Sequence, residues 1–154
     1  DGVLVAKSSP DGPSWLRTAK KYSDFELSLE FRVGTAANSG VFLRTPETAP
    51  LIGAGMLEVQ IQDDAAFPLE TPKGRSGAIY NQVAPSVLPE IRVGEWYELR
   101  IRMEGRQIHV FLAGKQLVQA HVTAEAFPAD GYLGLQQWRG QVDFRRLRIQ
   151  TPKK

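Results

Sequence analysis

Nine residues, FELSLEFRV (25–33), alternate without a break. Phe25, Leu27, Leu29, Phe31 and Val33 fall on one side of an extended chain, and Glu26, Ser28, Glu30 and Arg32 on the other. A helical period would mix apolar and charged residues on every face, so the stretch can only be a half-buried strand. The same signal recurs in GVFLR (40–44), LEVQIQ (57–62), WYELRIRM (96–103), QIHVFLAG (107–114), QLVQAHV (116–122), GYLGLQQW (131–138) and VDFRRLRIQ (142–150). GVLVAK (2–7) and SWLRTAK (14–20) add two shorter candidates.

Glu104-Gly105 and Ala113-Gly114 separate consecutive strands at hairpin spacing, and Arg139-Gly140 parts the last two. No segment sustains a helical period; TAEAFPAD (123–130) has room for one helical turn before Pro128. Many short strands with turns between them predict an all-β antiparallel sandwich or barrel. The 154 residues suffice for one domain, 1–154, and no repeat or linker divides them. The expected core is Phe25, Leu27, Leu29, Phe31, Val41, Leu43, Val59, Ile61, Leu99, Ile101, Ile108, Val110, Leu133 and Leu135. The longest region without a strand signal, Asp64 to about Arg75, has the length of a functional or mobile loop.

Charge and composition exclude several partners. The net charge is only +2 and the basic residues are scattered, Lys153 and Lys154 included, so no nucleic-acid footprint is expected. No apolar run reaches membrane-spanning length, so no membrane insertion is expected. There is no cysteine, hence neither a disulfide framework nor a thiolate metal site.

One strand face is chemically unusual. In GMLEVQIQDD (55–64), Leu57, Val59 and Ile61 point one way, while Glu58, Gln60 and Gln62 point the other. Amides both donate and accept, so such a row suits the hydroxyls of a sugar; it also suits a face that simply meets water.

Six stretches in order carry a resemblance: ANSGVFLR (37–44), LEVQIQDD (57–64), GAIYNQVAPS (77–86), VGEWYELRI (93–101), GYLGLQQW (131–138) and VDFRRLRI (142–149). Together they resemble the 3-keto-disaccharide hydrolase domain family over nearly the whole chain. The resemblance implies a concanavalin A-like jelly-roll sandwich, related to the laminarinase-type glucanases, whose concave sheet receives carbohydrate. It implies cleavage of glycosides already oxidised to a ketone at carbon 3. It also implies a periplasmic or extracellular location, and a divalent metal in some members; the residues from Asp1 carry no signal-peptide pattern. Two places depart from the family. Leu135-Gln136-Gln137-Trp138 stands where members often read Leu-Gln-x-His, and Leu112-Ala113-Gly114 where they often read Leu-Asn-Gly. The lost histidine favours a second reading, a non-catalytic carbohydrate-binding module on the same fold.

Glucanases of similar fold carry Glu-x-Asp-x-x-Glu on such a strand, where this chain reads Glu58-x-Gln60-x-x-Asp63. Glu58 and Asp63 differ in parity, so only a bulge after Ile61 would bring both to one face. A 3-keto sugar needs less: its ketone acidifies the hydrogen on carbon 2, so one base and one group at the ketone oxygen suffice. Glu58 is the expected base. Arg44, sharing parity with Phe42, is the first candidate at the oxygen, with a metal second; the competing reading of Arg44 is an ordinary ion pair. Asp63 is a candidate substrate contact, and Asp63 and Asp64 otherwise cap a loop or hold a metal. Tyr80 and Trp138 either reach the substrate or pack locally, and Asn38 either donates to substrate or holds a turn. Gln60 and Gln136 complete the expected surface. Trp15 and Trp96 read as core or edge packing, and His109 and His121 share no metal-binding pattern.

Overall fold

The computed structural model describes residues 2–47, 56–67, 71–123 and 127–152. Lys153 and Lys154, residues 124–126 of the expected helical turn and 68–70 of the long loop lie outside them. Ten strands follow in chain order: β1 Leu4–Lys7, β2 Ser14–Arg17, β3 Phe25–Val33, β4 Asn38–Thr45, β5 Leu57–Gln62, β6 Tyr97–Glu104, β7 Gln107–Leu112, β8 Lys115–His121, β9 Tyr132–Gln137 and β10 Gln141–Gln150. Among the described residues the only helical element is a three-residue 3-10 turn, Pro72–Gly74, and no helix is long and apolar enough to cross a membrane.

The strands form two antiparallel sheets, six-stranded in the order β1-β10-β3-β6-β7-β8 and four-stranded in the order β2-β9-β4-β5. All fourteen expected core residues are buried, and they belong to one apolar cluster between the sheets. β3 shows why: its buried and half-buried positions alternate from Phe25 to Val33, so one face fills the sandwich and the other leaves it. β6, β7 and β8 form consecutive hairpins through Gly105 and Gly114, both at positive φ. The Arg139-Gly140 break is different. β9 belongs to the smaller sheet and β10 to the larger, so the chain changes sheets there.

The four-stranded sheet is unlike an ordinary half-solvated one. Every residue of β4 is buried, and so is every residue of β5 except Glu58 and of β9 except Gln137. Its free edge is also occupied. Residues 77–80 run beside β5, with Gly77 N–H donating to Gln60 O (2.9 Å), Gln60 N–H to Ala78 O (3.1 Å) and Tyr80 N–H to Glu58 O (2.9 Å). That segment satisfies the backbone groups an edge strand would otherwise expose.

Arg44 departs from the expected parity. The register of β4 against β9 shifts between Phe42 and Thr45, and Arg44 sits in that bulge at φ 46°. An extra residue in one strand swings the following side chain away. The Arg44 guanidinium is buried and donates to Ser23 O (2.6 Å), Gly105 O (2.7 Å) and Asp24 Oδ1 (3.1 Å). Asp24 Oδ1 also accepts from Gly105 N–H at 2.7 Å. Arg44 therefore clasps the bulge to the segment before β3 and the β6–β7 turn, and it does not share a face with Phe42. Its expected place on the face of Phe42 is corrected: the bulge turns it away, and three protein acceptors engage its guanidinium.

Arg44→Lys keeps the charge and loses the fork that reaches three acceptors. It is expected to cost about 2 kcal/mol, the scale for hydrogen bonds to a charged group, read as a lower urea midpoint at unchanged m-value. Loss of activity without loss of stability would instead return Arg44 to the substrate.

Candidate carbohydrate site on the four-stranded sheet

The outer face of the smaller sheet is built by parity. Val41, Val59, Ile61 and Leu135 point into the core, so Asn38, Gly40 and Phe42 on β4, Glu58, Gln60 and Gln62 on β5 and Gln136 on β9 point outward. Register aligns them in rows. Arg17, Gly134, Phe42 and Glu58 are successive cross-strand partners, as are Trp15 with Gln136, Gly40 with Gln60, and Asn38 with Gln62.

The amides form one hydrogen-bonded line. Asn38 Nδ2 donates to Gln62 Oε1 (3.1 Å), Gln60 Nε2 to the same oxygen (3.4 Å), and Gln62 Nε2 to Asp64 Oδ1 (3.0 Å). Ser76 closes the line: its N–H donates to Asp64 Oδ1 (3.1 Å), and its hydroxyl joins both Gln62 N–H (3.0 Å) and Gln62 O (3.1 Å). Burial raises the Asp64 carboxyl above its ordinary range, against the hydrogen bonds from Gln62 and Ser76. Two carbonyl oxygens on this surface, Asn38 Oδ1 and Gln136 Oε1, are buried without a partner among the described residues. Buried acceptors are costly to leave unpaired, and hydroxyl donors would satisfy them.

Glu58 stands at the end of the row under different conditions. Gly40 lies beneath its side chain: a Cβ there would collide with Glu58 Oε1 and lie 2.7 Å from Cδ. The residue is half-buried, yet its carboxyl lies low on the sheet, and no hydrogen bond or ion pair reaches it among the described residues. Loss of hydration alone pushes it up to about 8. Asp63 behaves otherwise. Its Oδ2 accepts from Ala36 N–H (2.9 Å) and its Oδ1 from Ala65 N–H (3.3 Å). It is a loop cap and no bulge after Ile61 turns it toward Glu58.

Of the other expected residues, Tyr80 lies beside Glu58 through its backbone, half-buried, one residue past the core-facing Ile79. Trp138 is half-buried beyond the end of β9, next to Arg139, which bridges Asn38 and places its guanidinium 5.7 Å from the indole centroid. Asp64, a loop-cap or metal candidate in the sequence, joins this face through Gln62, in keeping with the even-number parity of Glu58, Gln60 and Gln62. Trp15 was read as packing. It faces outward beside Gln136, lies over Gly134, where a Cβ would come within 2.6 Å of Cζ3, and meets Phe42 edge-on at 5.8 Å.

A family model described as the 3-keto-alpha-glucoside-1,2-lyase-like domain matches residues 1–150. The chain belongs to that family. A provisionally named glycosyl hydrolase from Parabacteroides distasonis is 28% identical, with a TM-score of 0.85 over 99% of this chain and 88% of that one. A second such protein from the same organism is 19% identical, with a TM-score of 0.81 over 99% and 82%. The carbohydrate-binding module CBM66 of Bacillus subtilis shares the fold at 17% identity, with a TM-score of 0.66 over 97% and 92%. No curated protein sequence matches significantly. The architecture is thus a jelly-roll sandwich, and family membership gives the chain a glycoside-hydrolase-like or carbohydrate-binding role.

A divalent metal finds no ligand set here. Among the described residues no three His, Asp or Glu side chains gather into a metal-binding group. His109 and His121 sit on β7 and β8 of the other sheet, and a glutamine and a tryptophan follow Gln136 where the family's histidine is expected. These residues do not fit such an ion. The two carboxyls of this face are held differently: Asp64 is tied down by Gln62 and Ser76, whereas Glu58 folds over Gly40 without a donor among the described residues.

The Glu58 carboxyl sets a pH dependence of stability. Its folded pKa exceeds the ordinary 4.5, so the native state holds a proton that the unfolded state releases. Stability is therefore greatest at or below about pH 4.5 as far as this group is concerned, and falls as pH rises toward about 8. Glu58→Gln removes that fall: its melting temperature should exceed the wild type's at pH 8 and match it more closely at pH 5, in calorimetry at both pH values.

Proposed function

We propose that the chain cleaves 3-keto glycosides by elimination, with Glu58 as the base, and that a hydration step completes net hydrolysis. The observation that supports this best is a lone, desolvated carboxyl on a face of buried amides. A single strong base is poorly suited to double displacement and well suited to removing an acidic C–H.

Ionised Glu58 takes the proton from carbon 2, and the C–H electrons form an enolate through carbon 3. The enolate collapses, the carbon 1–carbon 2 double bond forms, and the bond from carbon 1 to the leaving oxygen breaks. The leaving group takes up a proton, and water adds across the enone to give the 3-keto sugar. This is a 1,2-elimination, the reaction that the family description names. With Arg44 engaged elsewhere, the donors for the ketone oxygen are neutral: the Gln136 amide and the Tyr80 hydroxyl. Asn38 and Gln60 would hold sugar hydroxyls. A periplasmic or extracellular site of action belongs to the same proposal.

Glu58 must be ionised to act, so kcat/KM should climb with pH and level off above about 8. Glu58→Gln should lower the rate by about 10²–10⁴ and leave substrate affinity nearly unchanged, whereas Gln60→Ala should weaken binding. The wild type should exchange the carbon-2 hydrogen of a 3-keto glycoside with deuterated solvent, followed by NMR, and leave unoxidised glycosides intact. Comparable turnover of an ordinary disaccharide would sink the elimination route. The second reading, a sugar-binding module, is favoured by Trp138 standing where the family's histidine is expected. Binding of sugar with no turnover of any keto glycoside would establish it.

A further inference from the structure

The outer face of the four-stranded sheet is divided into two chemically distinct halves, and the division points to how a substrate lies on it. The two residues that define the halves lean past each other. Glu58 pairs with Phe42 but folds over Gly40, toward the row of Gln60. Trp15 pairs with Gln136 but lies over Gly134, whose own partner is Phe42. The carboxyl therefore sits among the amides, with Gln136, Gln60 and Asn38 around it. The indole sits at the other end, braced edge-on by the fully buried Phe42.

The polar half contains the base and both unpartnered carbonyl oxygens, Asn38 Oδ1 and Gln136 Oε1. Those groups suit a ring rich in hydroxyls that must present a C–H to Glu58. The aromatic half has no such acceptors but offers a half-buried indole whose underside is already packed. A flat, braced aromatic surface binds the C–H face of a second ring at little entropic cost. Strands stand about 4.8 Å apart and residues two apart on one strand about 6.8 Å, so a carboxyl over Gly40 and an indole over Gly134 are roughly 8 Å apart, one strand and one row.

We propose that Trp15 is the leaving-group platform. Resting on the elimination reading for which half reacts, it assigns the ring-bearing leaving group of a disaccharide or aryl glycoside to Trp15, and the 3-keto ring to the amides beside Glu58. Trp15 is then a specificity-determining residue that touches substrate on the side of carbon 1 remote from the base. Gly134 is its support, since any side chain there would lift the indole from the sheet.

The test compares two substrates that share the 3-keto ring: 3-keto-trehalose, whose leaving group is a sugar, and methyl 3-keto-glucoside, whose leaving group has no ring. Trp15→Ala should lower the ratio of their kcat/KM values, disaccharide over methyl glycoside, about tenfold, the scale of one aromatic contact. Trp15→Phe should give an intermediate ratio, and it keeps the question answerable if the alanine variant folds poorly. An unchanged ratio in both variants would overturn the assignment, as would a loss falling equally on the two substrates. Calorimetric binding to the Glu58→Gln protein separates this from failure of the elimination reading. If no keto glycoside is turned over by the wild type, Trp15→Ala in that background should still weaken trehalose binding more than methyl glucoside binding. Equal affinities there would remove Trp15 from the site altogether.

Discussion

The site depends on the smaller sheet being buried on both faces. Period-two alternation sends one set of side chains of β4, β5 and β9 into the core, which leaves the other set to be amides, a carboxyl, glycines and a phenylalanine. In a sheet with a solvated outer face these would be hydrated and chemically quiet. Here Gln60, Gln62, Asn38 and Gln136 are buried, so each polar atom needs a partner from the protein or from a ligand. The chain from Asn38 through Gln62 to Asp64 and Ser76 supplies most of them. Residues 77–80 pair with the backbone of β5 and carry Tyr80 to Glu58. On this face Asn38 Oδ1 and Gln136 Oε1 stay unpartnered among the described residues.

Glu58 differs from the buried carboxyls. Asp63 accepts two loop amides, Asp64 accepts Gln62 and Ser76, and Asp143 accepts Arg32 and Gln141. Each is tied to the fold by donors. Glu58 has none among the described residues, and its raised pKa means that its charged form opposes folding. A solvated glutamine or threonine on β5 would avoid that cost. Strained or poorly satisfied groups of this kind concentrate at functional sites, and the glycine beneath this one makes room for the carboxyl to lie where it does.

Most of the architecture was legible because alternation is a strong signal over six to nine residues. Phe25 to Val33 could be placed in the core from the string alone, and so could the row of Glu58, Gln60 and Gln62. What could not be read was anything that breaks the count. Arg44 was assigned to the outer face by counting from Phe42, but a single residue at φ 46° shifts the parity, and nothing in VFLRT announces a bulge. The Arg139-Gly140 break resembles a hairpin locally; only pairing far along the chain decides that β9 and β10 belong to different sheets. Trp15 escaped because SWLR is too short for a period to choose a face, and its meaning lies in Gly134, 119 positions away. Asp64, by contrast, was within reach of the parity rule, and the family-derived spacing drew attention to Asp63 instead.

The position of Arg44 also bears on the chemistry. A base strong enough to remove a C–H proton benefits from a raised pKa, and at Glu58 burial is the sole cause of the rise. A guanidinium within a few ångströms would stabilise the carboxylate and lower that pKa again. A strong carboxyl base and an adjacent arginine electrophile are therefore in conflict unless substrate separates them. Neutral donors avoid the conflict: an amide at Gln136 and a hydroxyl at Tyr80 can stabilise an enolate oxygen through directed dipoles while leaving Glu58 basic. The bulge that turns Arg44 off the face of Phe42, and the glutamine and tryptophan that stand after Gln136 where the family's histidine is expected, have the same electrostatic effect. Both keep positive charge away from Glu58, whose pKa burial raises.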